Sequence, residues 1–157
     1  MLAALPKAVD EETYQRSKLD LSERERHTEW YVFHRDLVQL RRTDPVIQRA
    51  RHHRPDGAIL AAGAFVLRYW GAGDGDRLLV VNLGCDLDLR PVPEPLLAPP
   101  AGSRWELQWS TEAVRYGGGG TPPVNPHSEW HVPGESALLL RSVPGPIEDD
   151  GTEDDEH

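Results

Sequence analysis

Four places in the chain hold residues whose types and spacing could do chemistry. Gly117, Gly118, Gly119 and Gly120 form a tetraglycine run of the kind that can cradle a phosphate. A phosphate loop needs Lys-Ser/Thr after its last glycine and a helix N-terminus beyond. Thr121-Pro122-Pro123 follows instead, with no lysine and no helical period, so the run reads as a surface loop with demanding backbone angles. His127, Glu129 and His131 stand at i, i+2 and i+4 and would share one face of a strand, a feasible facial triad for a metal. Pro126 and Pro133 bracket them and exclude a helical zinc motif, and the plainer reading is a solvated strand face opposite Trp130 and Val132. His52 and His53 with Asp56 lie in a basic turn and invite the same plain reading. Cys85, the one cysteine, cannot form an intrachain disulfide or a cysteine-based zinc site. Its neighbours Asp86 and Asp88 disfavour a thiolate, so it is a poor nucleophile.

No serine occupies a Gly-x-Ser-x-Gly elbow, and the acids fall on a helix surface, in turns or in the tail rather than as a supported pair. The five tryptophans could stack on sugar rings, though in a β-rich fold most of them belong in the core. No catalytic residue, cofactor-binding residue or metal ligand is therefore assigned, and no cofactor is expected.

The elements that must carry these residues fall into three regimes. Ser22-Glu23-Arg24-Glu25 fits a capping box. Trp30, Phe33, Leu37 and Leu40 then recur at helical spacing, with Tyr31 and Val38 widening the stripe. Arg41 and Arg42 suit a helix C-terminus, and Asp44-Pro45 stops it. One helix over 22–43 is predicted, after an N-terminal extended segment over 1–21. Its apolar stripe needs a partner, either this chain's own strands or a surface outside the chain.

From residue 57 the period is two. Strands are predicted at 64–70 and 77–83, joined by a Gly/Asp-rich hairpin loop, then at 86–90, 105–109, 129–132 and 136–141. The proline-rich stretch 91–100 and the loop 117–126 connect them. The expectation is a mainly β fold: an antiparallel β-sandwich over 57–143, preceded by one long amphipathic helix, with a disordered acidic tail over 144–157.

Charge agrees with these divisions. The chain has 157 residues and a formal net charge of −9. Seven acids and no base lie in residues 148–157, whereas residues 16–54 hold ten Lys/Arg against six Asp/Glu. The overall balance excludes a nucleic-acid binder, which needs a basic face to displace counterions. No run approaches 18 apolar residues and the N-terminus has no signal-peptide pattern, so a cytoplasmic protein with no membrane partner is expected.

The order of the strings Asp10-Glu11-Glu12-Thr13-Tyr14-Gln15-Arg16-Ser17-Lys18-Leu19-Asp20, Ser22-Glu23-Arg24, His34-Arg35-Asp36-Leu37 and Leu40-Arg41-Arg42-Thr43-Asp44-Pro45 resembles the C-terminal end of the malto-oligosyltrehalose trehalohydrolases. These belong to the α-amylase superfamily, family 13 of the glycoside hydrolases. The likeness continues through Leu79-Val80-Val81-Asn82-Leu83-Gly84, Trp105-Glu106-Leu107-Gln108-Trp109-Ser110, Arg115-Tyr116 with the tetraglycine, Trp130-His131-Val132-Pro133 and Ser136-Ala137-Leu138-Leu139-Leu140-Arg141. It covers roughly residues 9–143. Leu19-Asp20-Leu21 departs from the family's usual Leu-Asp-Trp or Leu-Asp-Phe.

The resemblance implies a piece that follows a catalytic (β/α)₈ barrel. The helix over 22–43 would match the last barrel helix, and residues 57–143 the small β-sandwich behind it. A barrel takes about 250 residues, and the family's catalytic carboxylates lie on barrel strands with no counterpart here, so no catalytic role carries over to any position. The family hydrolyses the α-1,4 bond next to a terminal trehalose unit. The expected role is a non-catalytic domain in trehalose and carbohydrate metabolism. The alternatives are a subunit completing a separately encoded barrel and a stand-alone α-glucan-binding module, which makes that barrel or an α-glucan the expected partner.

Overall fold

A computed structural model describes residues 11–50, 52–73, 75–89, 94–122 and 130–145. These form a mixed α/β fold with four helices and two antiparallel sheets. The helices are α1 (Glu11–Ser17), α2 (Glu23–Arg26), α3 (Thr28–Thr43) and α4 (Pro45–Arg49). The strands are β1 (Asp56–Ala61), β2 (Ala64–Tyr69), β3 (Arg77–Asn82), β4 (Leu87–Leu89), β5 (Ser103–Ser110), β6 (Trp130–Val132) and β7 (Ser136–Pro144). None of the described helices is long and apolar enough to cross a membrane.

The single helix expected over 22–43 is broken. His27 leaves helical geometry (φ −123°, ψ 52°), ending α2 and starting α3 without a side-chain cap. The Thr28 hydroxyl donates to the Arg24 and Glu25 carbonyls, a local bond that competes with regular helix. The capping box is also not made. Ser22 donates its hydroxyl to Asp20 Oδ1 at 2.7 Å, and Arg26 pairs with Asp20 Oδ2 at 2.5 Å. Within the segment expected to be extended, residues 11–17 are helical. Glu11 and Glu12 suit the first turn and Arg16 the last, and Gln15 donates to Glu11 one turn back at 2.8 Å.

Asp44-Pro45 does stop α3, but it also starts α4. Asp44 turns extended, its carboxylate accepts the Val46 and Ile47 amides at 2.9 and 3.0 Å, and Pro45 takes the first helical position.

The larger sheet runs β1-β2-β3-β7-β5 and the smaller pairs β4 with β6. A two-stranded ribbon lies on one face of the five-stranded sheet. Val66, Leu78, Val80, Leu138, Leu140 and Trp105 of the large sheet share one buried cluster with Leu89, Trp130 and Val132 of the ribbon and with Leu97. Asn82 ties the layers together, donating its amide to the Val132 and Pro133 carbonyls at 3.1 Å each. The helical turn Pro95–Leu97 supplies Leu97 from within the proline-rich connection. At the same edge buried Arg68 pairs with Asp76 Oδ2 at 2.7 Å and donates to the Leu96 and Ala98 carbonyls.

The opposite face of the large sheet carries Phe65, Leu67, Leu79 and Val81, all half-buried, and Ile59, which is 83% exposed. A β-bulge recruits a further residue to this face. Leu107 pairs with Leu140 and Trp109 with Leu139, leaving Gln108 as the extra residue. The parity of β5 is thereby reversed, so Trp105 faces the sealed core while Trp109 turns to the helical side. Residues 146–157, which contain most of the expected acidic tail, lie outside the described residues.

Candidate functional site

The helices meet the sheet through an aromatic seam and a charged hub. Phe33 of α3 stands edge-on to Tyr116 (5.3 Å, 86°) and tilted against Trp109 (5.5 Å, 53°). The Trp109 indole N–H donates to the Tyr116 hydroxyl at 3.1 Å, which donates onward to Asp36 Oδ2 at 2.9 Å. Burial would raise the Asp36 carboxyl, but the bonds from Tyr116 and Arg35 and the charges of Arg115 and Arg35 outweigh it and hold it below its ordinary value. Aromatic pairs of this geometry contribute about 0.5–1.5 kcal/mol beyond their burial.

Directly after α3, Asp44 is buried and receives four donors. Besides the two α4 amides, Arg77 Nε donates to its Oδ2 at 2.7 Å and Gln108 Nε2 at 3.0 Å. Burial alone would push this carboxyl up; the bonds from Gln108, Ile47 and Arg77 with the Arg77 charge win, and it lies below its ordinary value. The bulged Gln108 thus reaches the same hub that caps α4. One carboxylate fixes helix, strand β3 and strand β5 relative to one another.

The chemistry-bearing residues of the sequence are not assembled around this seam. Gly117 and Gly120 adopt positive φ (85° and 96°), as demanding loop angles require. At Gly118 an added Cβ would lie 2.4 Å from the Glu112 backbone. The Gly118 and Gly120 amides donate inward, to the Ala113 and Glu112 carbonyls. The loop is folded onto its own stem and presents no phosphate cradle.

His131 faces Asp88 across the ribbon, Nδ1 to Oδ1 2.7 Å, and both are open to solvent. His127 and Glu129 lie outside the described residues, and among the described residues no group of three His, Cys, Asp or Glu could hold a metal. Asp56 accepts the Trp70 indole N–H at 2.8 Å. Cys85 is exposed, and its carbonyl accepts from Asn82.

The tryptophans divide three to two. Trp105, Trp109 and Trp130 are buried, whereas Trp30 is 60% and Trp70 55% exposed. Trp30 lies edge-on to Phe33 at 6.1 Å and borders a slot of about 370 Å³ with Tyr116, Glu112, Glu135 and the Gly117–Gly119 stretch. Tyr31 and Val38 are exposed beside it along α3. The helix stripe is thus divided. Phe33 packs on this chain's own sheet, and much of the rest of the stripe faces outward.

Asp36, Asp44, Arg77 and Tyr116 carry the seam, and the residue patterns did not single them out for it. Asp44-Pro45 was visible as a stop; the same Asp-Pro pair is also a start signal, and could have revealed α4 and its cap. Nothing local announces Tyr116–Asp36, which joins residues 80 positions apart.

A family model described as Domain of unknown function (DUF3459) matches residues 52–139, more than half of the chain. No curated protein and no solved structure matches.

Proposed function

The chain belongs to the family of the DUF3459 domain, and from that premise we propose that it is a non-catalytic C-terminal domain of the malto-oligosyltrehalose trehalohydrolase type, which docks onto an α-amylase-type barrel. In this reading the five-stranded sheet and the ribbon are the two layers of an α-amylase-type C-terminal β-sandwich. Helices α2 and α3 stand for the last barrel helix, and the substrate class of the assembled enzyme is an α-glucan ending in trehalose. The seven strands pair only in antiparallel fashion among the described residues, so the chemistry would come from the barrel.

The observation that carries this reading is the two-sidedness of α3. Its inner residues are fixed by Trp109, Tyr116 and Arg115, while Trp30, Tyr31 and Val38 stay exposed. Several large apolar side chains left exposed on one helix suit an interaction surface, and a helix so placed matches one that the resemblance assigns to a barrel.

The test mixes the purified chain with an α-amylase-type barrel that lacks its own last helix and C-terminal domain. A one-to-one complex that hydrolyses malto-oligosyltrehalose is expected, and Val38→Asp should abolish it. Trehalose released by this chain alone would overturn the non-catalytic assignment; failure to form a complex would overturn the docking.

A second reading, α-glucan binding, is favoured by one feature. The slot beside Trp30 combines an exposed indole with the carboxylates of Glu112 and Glu135, an apolar plate with hydroxyl acceptors, which suits a sugar ring. Retardation in a glycogen-containing gel, lost in Trp30→Ala, is the result it expects; unretarded migration of the parent chain would remove it.

A further inference from the structure

A cleft of about 650 Å³ opens between α4, the basic turn after it and the end of the β2–β3 hairpin, walled by Arg49, His52, His53, Arg54, Tyr69 and Trp70. That volume is typical of a small-molecule site. Among the described residues Arg54 and the two imidazoles make no side-chain hydrogen bond or ion pair. Of the described acids beside it, Asp76 is neutralised by Arg68, whose Nε and Nη2 donate to it at 3.0 and 2.7 Å, and it also accepts the Gly71 amide at 2.9 Å. Asp56 accepts the Trp70 indole N–H and is not among the residues that wall the cleft. The turn therefore offers positive charge to a ligand.

Trp70 is held ready beside it. Arg68 backs one face of the ring, 4.2 Å from its centroid, and Asp56 fixes the N–H, yet Trp70 lines the cleft with the surface left open. An aromatic plate already fixed in place loses little freedom when a ring stacks on it. Burial pushes the Tyr69 phenol up, so it meets a ligand as a neutral hydroxyl.

We propose that this cleft binds a phosphorylated sugar, with the phosphate against Arg54, His52 and His53 and the sugar ring against Trp70. Arginine supplies a planar fork that matches phosphate oxygens, imidazole N–H groups can donate to the same oxygens, and the Tyr69 phenol suits a sugar hydroxyl. The cleft shares no residue with the outer face of α3, so the barrel-docking reading and this one stand or fall separately.

Calorimetry on the full chain with glucose 6-phosphate, glucose, inorganic phosphate and AMP tests it. Saturable binding of glucose 6-phosphate is expected, at least about tenfold tighter than glucose or inorganic phosphate. Arg54→Ala and Trp70→Leu should each weaken it about tenfold, and Trp70→Phe by no more than about threefold, with circular dichroism unchanged in all three. The Trp70 indole N–H resonance should shift on titration. Inorganic phosphate bound as tightly as the sugar phosphate, AMP bound about tenfold tighter, an unaffected Trp70→Leu, or no saturation at about 10 mM would each overturn the assignment.

Discussion

The two faces of the five-stranded sheet are built from similar residues and finished differently. On one, Val66, Leu78, Val80, Leu138 and Leu140 are fully enclosed by the ribbon and Leu97. On the other, Phe65, Leu67, Leu79 and Val81 remain half-buried, and the helices are held there by a carboxylate hub and one aromatic seam. The first face is closed by non-directional burial, which tolerates no gap. The second is closed by directional bonds at a few points, with apolar surface left over. A chain that completes one face and only pins the other has a stable core together with a surface suited to a partner.

That contrast can be tested in order of expected effect. Trp130→Ala, on the sealed side, should lower unfolding free energy by about 4 kcal/mol in urea titrations; a loss near zero would mean the ribbon is not the seal. Asp44→Ala, on the pinned side, removes the partner of a buried arginine and an α4 cap, and about 3 kcal/mol should be lost in the same assay. Tyr116→Phe removes one bond donated to Asp36 and one accepted from Trp109, about 1 kcal/mol, and hydrogen exchange should speed up in α3 more than in β3. Trp30→Ser should change stability by no more than about 0.5 kcal/mol while weakening capture of the barrel. A large destabilisation there would place the outer strip in the core and erase the distinction.

Acid sharpens the same difference. Asp44 and Asp36 both have carboxyls held below their ordinary values in the folded protein. Such groups add stability above the unfolded value near about pH 3.9, and that stability is lost as pH falls through the lower folded values. Thermal melts between pH 6 and pH 2 should therefore fall less steeply for Asp44→Asn than for the parent below about pH 4. Trp130→Phe, which touches only the sealed side, should keep the parent's slope.

The sheet was largely legible because period-two patterning is local. Strands β2 through β7 lie close to where alternation and Gly/Pro breaks put them. Strand β1 was missed: Asp56-Gly57-Ala58-Ile59 has weak alternation, and its partner β2 supplies the order. The helix break at His27 was hidden because side-chain periodicity continues across it, while the Thr28 hydroxyl turns back onto the Arg24 and Glu25 carbonyls, which periodicity does not register. The three buried tryptophans accord with the expected core. Nothing in composition distinguished Trp30 and Trp70, whose exposure depends on which surfaces other elements reach. The hub at Asp44 gathers residues from three distant segments, and no window of sequence contains it.

The bulge at Gln108 has a consequence for how the fold can change over generations. Substitutions alter what a position contributes but leave strand parity alone. Deleting Gln108 would remove the bulge yet leave Trp109 opposite Leu139 and Ser110 opposite Leu138, so both faces would keep their residues and the loss would be one of Asp44's donors. Length at that one position is thus inherited as a unit with the helices it anchors. Lineages that keep the Asp44 hub should keep the extra residue, with an amide donor on it.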